Sequence, residues 1–496
     1  MQEIQREEAD LSAPQRALLA ELAQALPPDV LLHGSEATVA YECDGLSAWR
    51  RRPFAVALPW DEAQILTILR ACRKHGIPLT PRGAGTGLSG GALPAPGGML
   101  LSTARLNRIV RIDPATRSAL VQPGVRNLAV SQAAAAHGLY YAPDPSSQIA
   151  CSIGGNVAEN SGGVHCLKYG LTLHNVSGLR LLTMDGEVLE IGGGAPDTPG
   201  LDLLPLIVGS EGMLGVVTQV RLRLLPQAPC AQLIVASFDS VSQAGQAVAD
   251  LIAEGIIPAG LEMMDRTSVA MVEPFARAGY DLDAAAILLC ESDGSALQVA
   301  QESADMQAVL LRAGARRLQI SHDEQERARL WSGRKNAFPA AGRISPDYYC
   351  MDGTIPRRHL AYVLQSIQQM EQEYGLRCAN VFHAGDGNLH PLILFDANAP
   401  DELARAERFG AAILELCVAL GGTITGEHGV GVEKLDSMCV QFSAAENSLF
   451  LALKRAFDPA NLCNPDKAIP SLARCAEYGR MHIARGDVRF PHLPRF

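Results

Sequence analysis

At 496 residues, the chain is too long for one ordinary core and predicts at least two domains. Apolar residues make up 48% and charged residues 19%, a globular balance that argues against disorder. A net charge of −11 with no long basic run disfavours nucleic acid as a partner. No apolar run reaches the ~18 residues needed to span a bilayer. The 12 cysteines contain no C-x-x-C pair, which excludes a zinc ribbon or an iron–sulfur cluster of ordinary spacing. The polar start, MQEIQREEADLS, has no secretory character, so reduced thiols in a cytoplasmic protein are expected.

In chain order, residues 14–26 predict a short amphipathic helix, followed by a polar, irregular stretch to about residue 52. Ile65, Leu66, Ile68, Leu69 and Cys72 then repeat at helical spacing, with Asp61 and Glu62 favouring the start and Gly76 the end. IPLTP reads as a strand leading into a glycine-dense loop, PRGAGTGLSGGALPAPGG. Strands near 99–102 and 118–122 and a helix over 126–137 follow. A second glycine cluster, SIGGNVAENSGG, spans 152–163, and LRLLTMDGEVLEI predicts a hairpin turning at Asp185–Gly186. VGSEGMLGVVTQVRLRLLP starts as a glycine-rich turn and ends as an alternating strand, and Pro226 and Pro229 mark a boundary. Beyond it, helices near 241–254, 296–313, 357–373 and 402–419 alternate with strands such as AAAILLC. This is the pattern of a second α+β domain.

Gly85-Thr-Gly87-Leu-Ser-Gly90 matches G-x-G-x-x-G, but ALPAPGGML cannot be the long helix that a nicotinamide-type fold requires there. Bare backbone N–H groups in glycine-rich turns can instead cradle phosphate as a nest. Three such clusters, at 82–91, 152–163 and 209–215, point to an elongated ligand such as a dinucleotide. Further on, FHAGDGNLH and TGEHGVG hold His383, His390, Glu427 and His428. His/His/Glu is a metal-ligand set, and it leaves one histidine for proton transfer. The Asp386–Gly387 pair predicts a turn that lets both His383 and His390 point into one pocket. Taken alone, the set would also fit a metallohydrolase. Glu433 and Lys434 read as a solvated turn.

PRGAGTGLSGG, PDPSSQIACSIGGNVAENSGG and VGSEGMLGVV resemble the FAD-binding half of the vanillyl-alcohol-oxidase-type flavoproteins. FHAGDGNLH, TGEHGVG and FDPANLCNPDKAIP resemble the C-terminal half of the FAD-linked D-2-hydroxy-acid dehydrogenases. LWSGRKNAFPAAGRISPDYYCMDGTIPRRHL and RCAEYGRMHIARG are similar, more narrowly, to the FAD-linked D subunits of bacterial glycolate oxidases. The resemblance implies an α+β fold. A PCMH-type FAD-binding domain of two α/β subdomains (53–228) follows an N-terminal extension (1–52). A substrate and metal domain with an antiparallel sheet and a helical cap (229–470) and a tail (471–496) come after it.

The same resemblance implies site residues. Arg82, Gly83, Ala84, Gly85, Thr86, Gly87, Leu88 and Ser89 would hold the pyrophosphate. Pro143, Asp144, Ser147, Gly154, Gly155, Asn156, Asn160 and Gly163 would line the flavin and ribityl region. Glu211, Gly212, Gly215 and Val217 would sit near the adenosine part, and Asn464 would reach back to the flavin. No histidine lies between Arg82 and Leu106, so FAD is expected to be non-covalent. His383, His390 and Glu427 would bind a divalent metal, zinc or manganese, with His428 as base and Arg334 on the substrate carboxylate. A 2-hydroxy acid would then lose its hydroxyl proton to His428 and its Cα hydride to the flavin. Relatives that take a dicarboxylic acid carry a lysine just before the aspartate at the position of Asp352. Here Tyr348-Tyr349-Cys350-Met351 precedes it, which implies a small substrate, glycolate or D-lactate. The partners implied are a second FAD-binding subunit and an iron–sulfur subunit, which would keep the chain peripheral on the inner face of the cell membrane.

Overall fold

The computed structural model describes residues 11–195 and 200–470. The tail 471–496, with RCAEYGRMHIARG, and the first ten residues of the N-terminal extension lie outside the described residues. The chain forms two compact units. The first comprises 1–161, 171–226 and 427–496, and the second 162–170 and 227–426. Neither is a contiguous stretch, because the chain returns to the first unit from Glu427 onward.

Among the described residues the first unit holds two larger sheets, each with its own core, as expected for two α/β subdomains, and a two-stranded pair, Leu139–Tyr140 with Leu225–Pro226. The four-stranded sheet has the order Leu31–His33, Ala55–Ala57, Met99–Ser102, Leu79–Arg82. Its first pair is antiparallel and the others are parallel. Leu18, Leu22, Ile65, Ile68 and Leu69, from helices Ala13–Ala25 and Glu62–His75, bury themselves against Leu79, Met99 and Leu101 of this sheet. Asp61 caps the second helix and left-handed Gly76 ends it, as their positions in the sequence predict. The stretch expected to be irregular contributes an edge strand, Leu31–His33, and a short helix, Ser35–Thr38. The strand is too short to show a period, so pairing with Ala55–Ala57 defines it.

The second sheet of this unit is antiparallel, with the order Ile109–Asp113, Ser118–Val121, Val216–Arg223, Val176–Leu182, Val188–Gly192. Val121, Leu179, Val220 and Leu222 pack with Val130, Ala134, Ile153 and Val157 from two helices, Asn127–Ala134 and Ile153–Glu159.

The second unit is built on a seven-stranded antiparallel sheet. Its order is Arg317–Ile320, Cys230–Phe238, Ala286–Gly294, Gly260–Asp265, Arg377–His383, Asn388–Phe395, Asp347–Cys350. The four predicted helices form at Val241–Ala253, Ala296–Arg312, Leu360–Tyr374 and Glu402–Ala419 and pack on it. Arg266–Ala276, Glu324–Lys335 and Ala337–Ala341 form a second helical group. The interior strands are buried on both faces, which explains their continuous apolar runs. Within that apolar background, Glu262 and Glu291 are buried acids.

Candidate active site

In the first unit, Arg82 ends a strand and the chain then runs without regular structure from Gly83 to Gly98. No helix follows Gly90, so the G-x-G-x-x-G match does not open a nicotinamide-type fold. The backbone N–H groups of Ala84, Gly85, Thr86, Gly87 and Leu88 donate to no group among the described residues. Five consecutive free donors around left-handed Gly85 (φ 72°) form a concave, electropositive run suited to phosphate oxygens. Gly83 lies so close to Ser152 that a Cβ would sit 2.3 Å from its hydroxyl. The Arg82 side chain turns back to donate to the Cys43 carbonyl at 2.7 Å. Such a cradle fits the pyrophosphate of a dinucleotide.

The other two glycine clusters differ from the turn nests expected of them. Residues Ile153–Glu159 form a helix capped by Ser152, whose hydroxyl accepts from Gly155 N–H. Gly154 serves close packing, since a Cβ there would meet Pro123 at 2.6 Å. Asn127 donates to the Pro143 carbonyl at 3.0 Å and to Asn156 at 3.1 Å, tying the PDPSS segment to this helix. The Ser147 carbonyl accepts from Ala150 and Cys151. Left-handed Asn160 ends the helix, and its side chain accepts from Leu173 N–H at 2.9 Å. The loop 209–215 uses its own donors: Gly209 and Glu211 donate to Val157 and Ala158 at the end of the same helix. Gly212 and Gly215 have positive φ (69° and 153°), and Val217 lies in the strand that follows. Gly163 falls in the segment that belongs to the second unit.

Asn464 and Glu211 join these loops. The Asn464 amide donates to the carbonyls of Gly91 at 3.0 Å and Glu211 at 2.7 Å. Its backbone N–H donates to Leu79. The Glu211 carboxylate is buried and accepts from Val430 and Gly431 N–H, both at 2.7 Å. Burial pushes this carboxyl up, opposed by those two amides. The Ser89 carbonyl accepts from Val432 and Glu433. The loop carrying His428 is therefore sewn to the first and third glycine clusters by its backbone. His428 Nε2 lies 3.7 Å from the Glu427 carboxylate. The expectation of a solvated turn at Glu433 and Lys434 fails: both are buried, and Lys434 donates to the Gly429 carbonyl at 2.8 Å. Threading beneath the first loop removes them from water. Lys454, also buried, donates to the Met213 and Cys463 carbonyls and to Asp458, fastening the last helix.

In the second unit the strands Arg377–His383 and Asn388–Phe395 form a hairpin that turns through Ala384–Gly387. Left-handed Gly387 (φ 82°) and the Asp386 carboxylate, which accepts from Asn388 N–H, close the turn as predicted. Val381 pairs opposite His390, so the period of two puts His383 on the same face, diagonal to His390. Their rings meet edge to face with centroids 4.9 Å apart. Both are buried. Asp352, fully buried, lies 4.0 Å from His390 Nδ1 and accepts from Thr425 and Gly426. Thr425 and Gly426 are thus pinned to the carboxylate that faces His390. Gly426 also packs so tightly on Asn388 that a Cβ would come within 2.6 Å.

Arg334 is buried in the same unit. Its Nε donates to Glu262 at 2.6 Å, and the other oxygen of Glu262 is 2.8 Å from His383 Nδ1. Arg334 Nη1 is buried with no hydrogen-bond partner among the described residues. An orphaned guanidinium donor beside a histidine pair suits an incoming carboxylate. The buried, paired histidines likewise fit a divalent cation, for which imidazole is a favoured ligand.

Sequence reasoning missed Glu262, Phe338 and Glu291. Phe338 lies with its ring 6.0 Å from Tyr348 and 6.5 Å from His390. Burial alone would raise the Glu291 carboxyl, but His165, Arg327 and Trp331 hold it down at about 2. Lys168 and Tyr169 bind Asp293 nearby, so segment 162–170 is fastened by acids of one strand. For Glu262 and Glu291 a signal existed: an acid directly following a run of apolar residues in a buried strand.

The family model for the FAD binding domain matches residues 53–192, and that for the FAD linked oxidases, C-terminal domain, matches 229–468. The chain is 59% identical over 480 residues to "Glycolate oxidase subunit GlcD" of Escherichia coli K12, covering 97% of this chain and 96% of that one. It is 31% identical over 426 residues to a D-lactate dehydrogenase of Archaeoglobus fulgidus, covering 84% and 92%. The fold is shared with 4-ethylphenol oxidase from Gulosibacter chungangensis, with a TM-score of 0.78 at 18% identity, covering 94% and 99%. The free donors of the first loop, the histidine hairpin and these matches agree: the chain belongs to the FAD-linked oxidase family and is an FAD-dependent oxidoreductase.

Proposed function

We propose that this chain is the catalytic FAD subunit of a glycolate-oxidising dehydrogenase complex that converts glycolate, and D-lactate, to the 2-oxo acid. The observation that carries this reading is the 59% identity to a glycolate oxidase subunit over nearly the whole length of both chains. FAD, held non-covalently, supplies the two-electron acceptor, and a divalent metal, zinc or manganese, acidifies the substrate hydroxyl. Arg82 to Ser89 hold the pyrophosphate. Pro143 to Gly163, Glu211 to Val217 and Asn464 shape the rest of the cofactor site. His383, His390 and Glu427 ligate the metal. Arg334 receives the substrate carboxylate on its free Nη1, and His428 takes the hydroxyl proton at a ring nitrogen.

Two features support a small substrate. The Phe338 ring lies 6.5 Å from that of His390 and 6.0 Å from that of Tyr348, a bulky side chain beside a proposed metal ligand. No lysine precedes Asp352 to meet a second carboxylate. Electrons leave to a second FAD-binding subunit and an iron–sulfur subunit, which hold the chain at the inner face of the membrane. No described helix is long and apolar enough to cross it. The match to an archaeal D-lactate dehydrogenase favours a second reading, a stand-alone D-lactate dehydrogenase. Co-purification of tagged protein from its native host separates the two, because the first reading requires bound flavin and iron–sulfur partners. The base assignment is tested by His428→Ala, which is expected to keep FAD while glycolate-dependent flavin bleaching slows by about 10²–10⁴. Unchanged single-turnover reduction refutes it.

A further inference from the structure

We propose that Glu262 is a positioning residue that couples the metal ligand His383 to the substrate-binding Arg334; this rests on the reading of both residues given above. Glu262 stands in the strand Gly260–Asp265, between Leu261 and Met263, and is 1% exposed. A carboxylate in such surroundings needs partners for both oxygens. Oε1 meets His383 Nδ1 at 2.8 Å and Oε2 meets Arg334 Nε at 2.6 Å, so each oxygen serves one functional side chain.

Two consequences follow from the chemistry of the groups. A carboxylate only accepts, so His383 carries its hydrogen on Nδ1 and presents the lone pair of Nε2. Arg334 Nη2 is 3.5 Å from the same Nδ1, too far to compete with the shorter contact. Glu262 therefore selects the tautomer in which His383 ligates through Nε2, and it raises the basicity of that nitrogen. The same carboxylate fixes the guanidinium plane, leaving the buried Nη1 as the donor without a partner. One residue thereby sets the direction of a metal ligand and of a carboxylate donor.

The test uses the FAD-loaded protein after metal removal, titrated with zinc(II) against a competing chelator, alongside KM and kcat for glycolate. Glu262→Gln places an amide NH2 against a donor on at least one side. It is expected to weaken zinc binding on the order of 10–100-fold and to raise KM, with FAD content unchanged. Arg334→Met supplies an arm that needs no change at Glu262. Losing its cationic partner, Glu262 should hold His383 less well, so zinc binding weakens several-fold as well as KM rising. Zinc affinity at the wild-type level in a folded Glu262→Gln protein, or in Arg334→Met, overturns the coupling. Equal loss of zinc and FAD in Glu262→Gln also overturns it, since that marks general structural damage. Wild-type protein that binds no zinc overturns the metal reading along with this one, whereas wild-type binding with indifferent variants overturns only the role of Glu262.

Discussion

The first glycine loop, in the first unit, and the histidine hairpin of the second use opposite parts of the residue. From Ala84 to Leu88 the chain leaves backbone donors free, and its side chains contribute little. In the hairpin the paired strands commit backbone groups to the ladder, and register aims the side chains of His383 and His390 to one face. The difference fits two tasks. A phosphate group is large, symmetric and charged, so a curved row of N–H groups suffices. A metal and a planar carboxylate need particular atoms at particular angles, so buried acids must hold the side chains that meet them.

Substitutions can break this contrast. The largest effect is expected in the side-chain site. Arg334→Met removes the orphaned donor and leaves buried Glu262 without its cation. A fall in kcat/KM for glycolate on the order of 10³ is expected, with FAD content intact. Steady-state kinetics beside flavin absorbance checks it. Next comes Glu291, which fastens segment 162–170. Its carboxyl is held at about 2 against an ordinary 4.5, so its contribution is complete above the unfolded value and fades as pH falls toward the folded one. Wild-type protein should lose about 3 kcal/mol of stability through this window, and Glu291→Gln should lack that acid-side dependence. Denaturant midpoints from pH 7 to pH 2 read the difference.

The backbone site should respond more mildly to a single change. Gly85→Val forces a β-branched residue into left-handed backbone and against Arg82. FAD binding should weaken by about tenfold, measured by flavin release in dilute protein, with zinc affinity expected to stay at the wild-type level. The smallest effect is expected at Phe338→Ala, which opens space over His390 and Tyr348. The ratio of kcat/KM for D-2-hydroxybutyrate over glycolate should rise by about 10-fold.

The same contrast governs what the sequence reveals. Elements with strong local chemistry are legible: the helix Glu62–His75 from its period and caps, the hairpin turn from Asp386–Gly387, the first loop from its glycines. The His383–His390 pairing follows from register once the turn is placed. The second glycine cluster is not legible as a helix, because Gly154 and Gly155 lower helix propensity and the capping Ser152 and the burial of Ile153 and Val157 override it. The use of Glu211 and Asn464 as clamps, and the burial of Lys434, depend on partners hundreds of residues away or on a chain path no local pattern records. Glu262 is visible only as an acid in an apolar strand, and nothing local names its two partners.

The most direct test of the central claim is anaerobic mixing of the purified yellow protein with a panel of 2-hydroxy acids, following loss of flavin absorbance. Rapid bleaching by glycolate and D-lactate, with slow or no bleaching by D-2-hydroxyglutarate, is the predicted result. A flavin that D-2-hydroxyglutarate reduces much faster than glycolate, or that no 2-hydroxy acid reduces, would contradict the account.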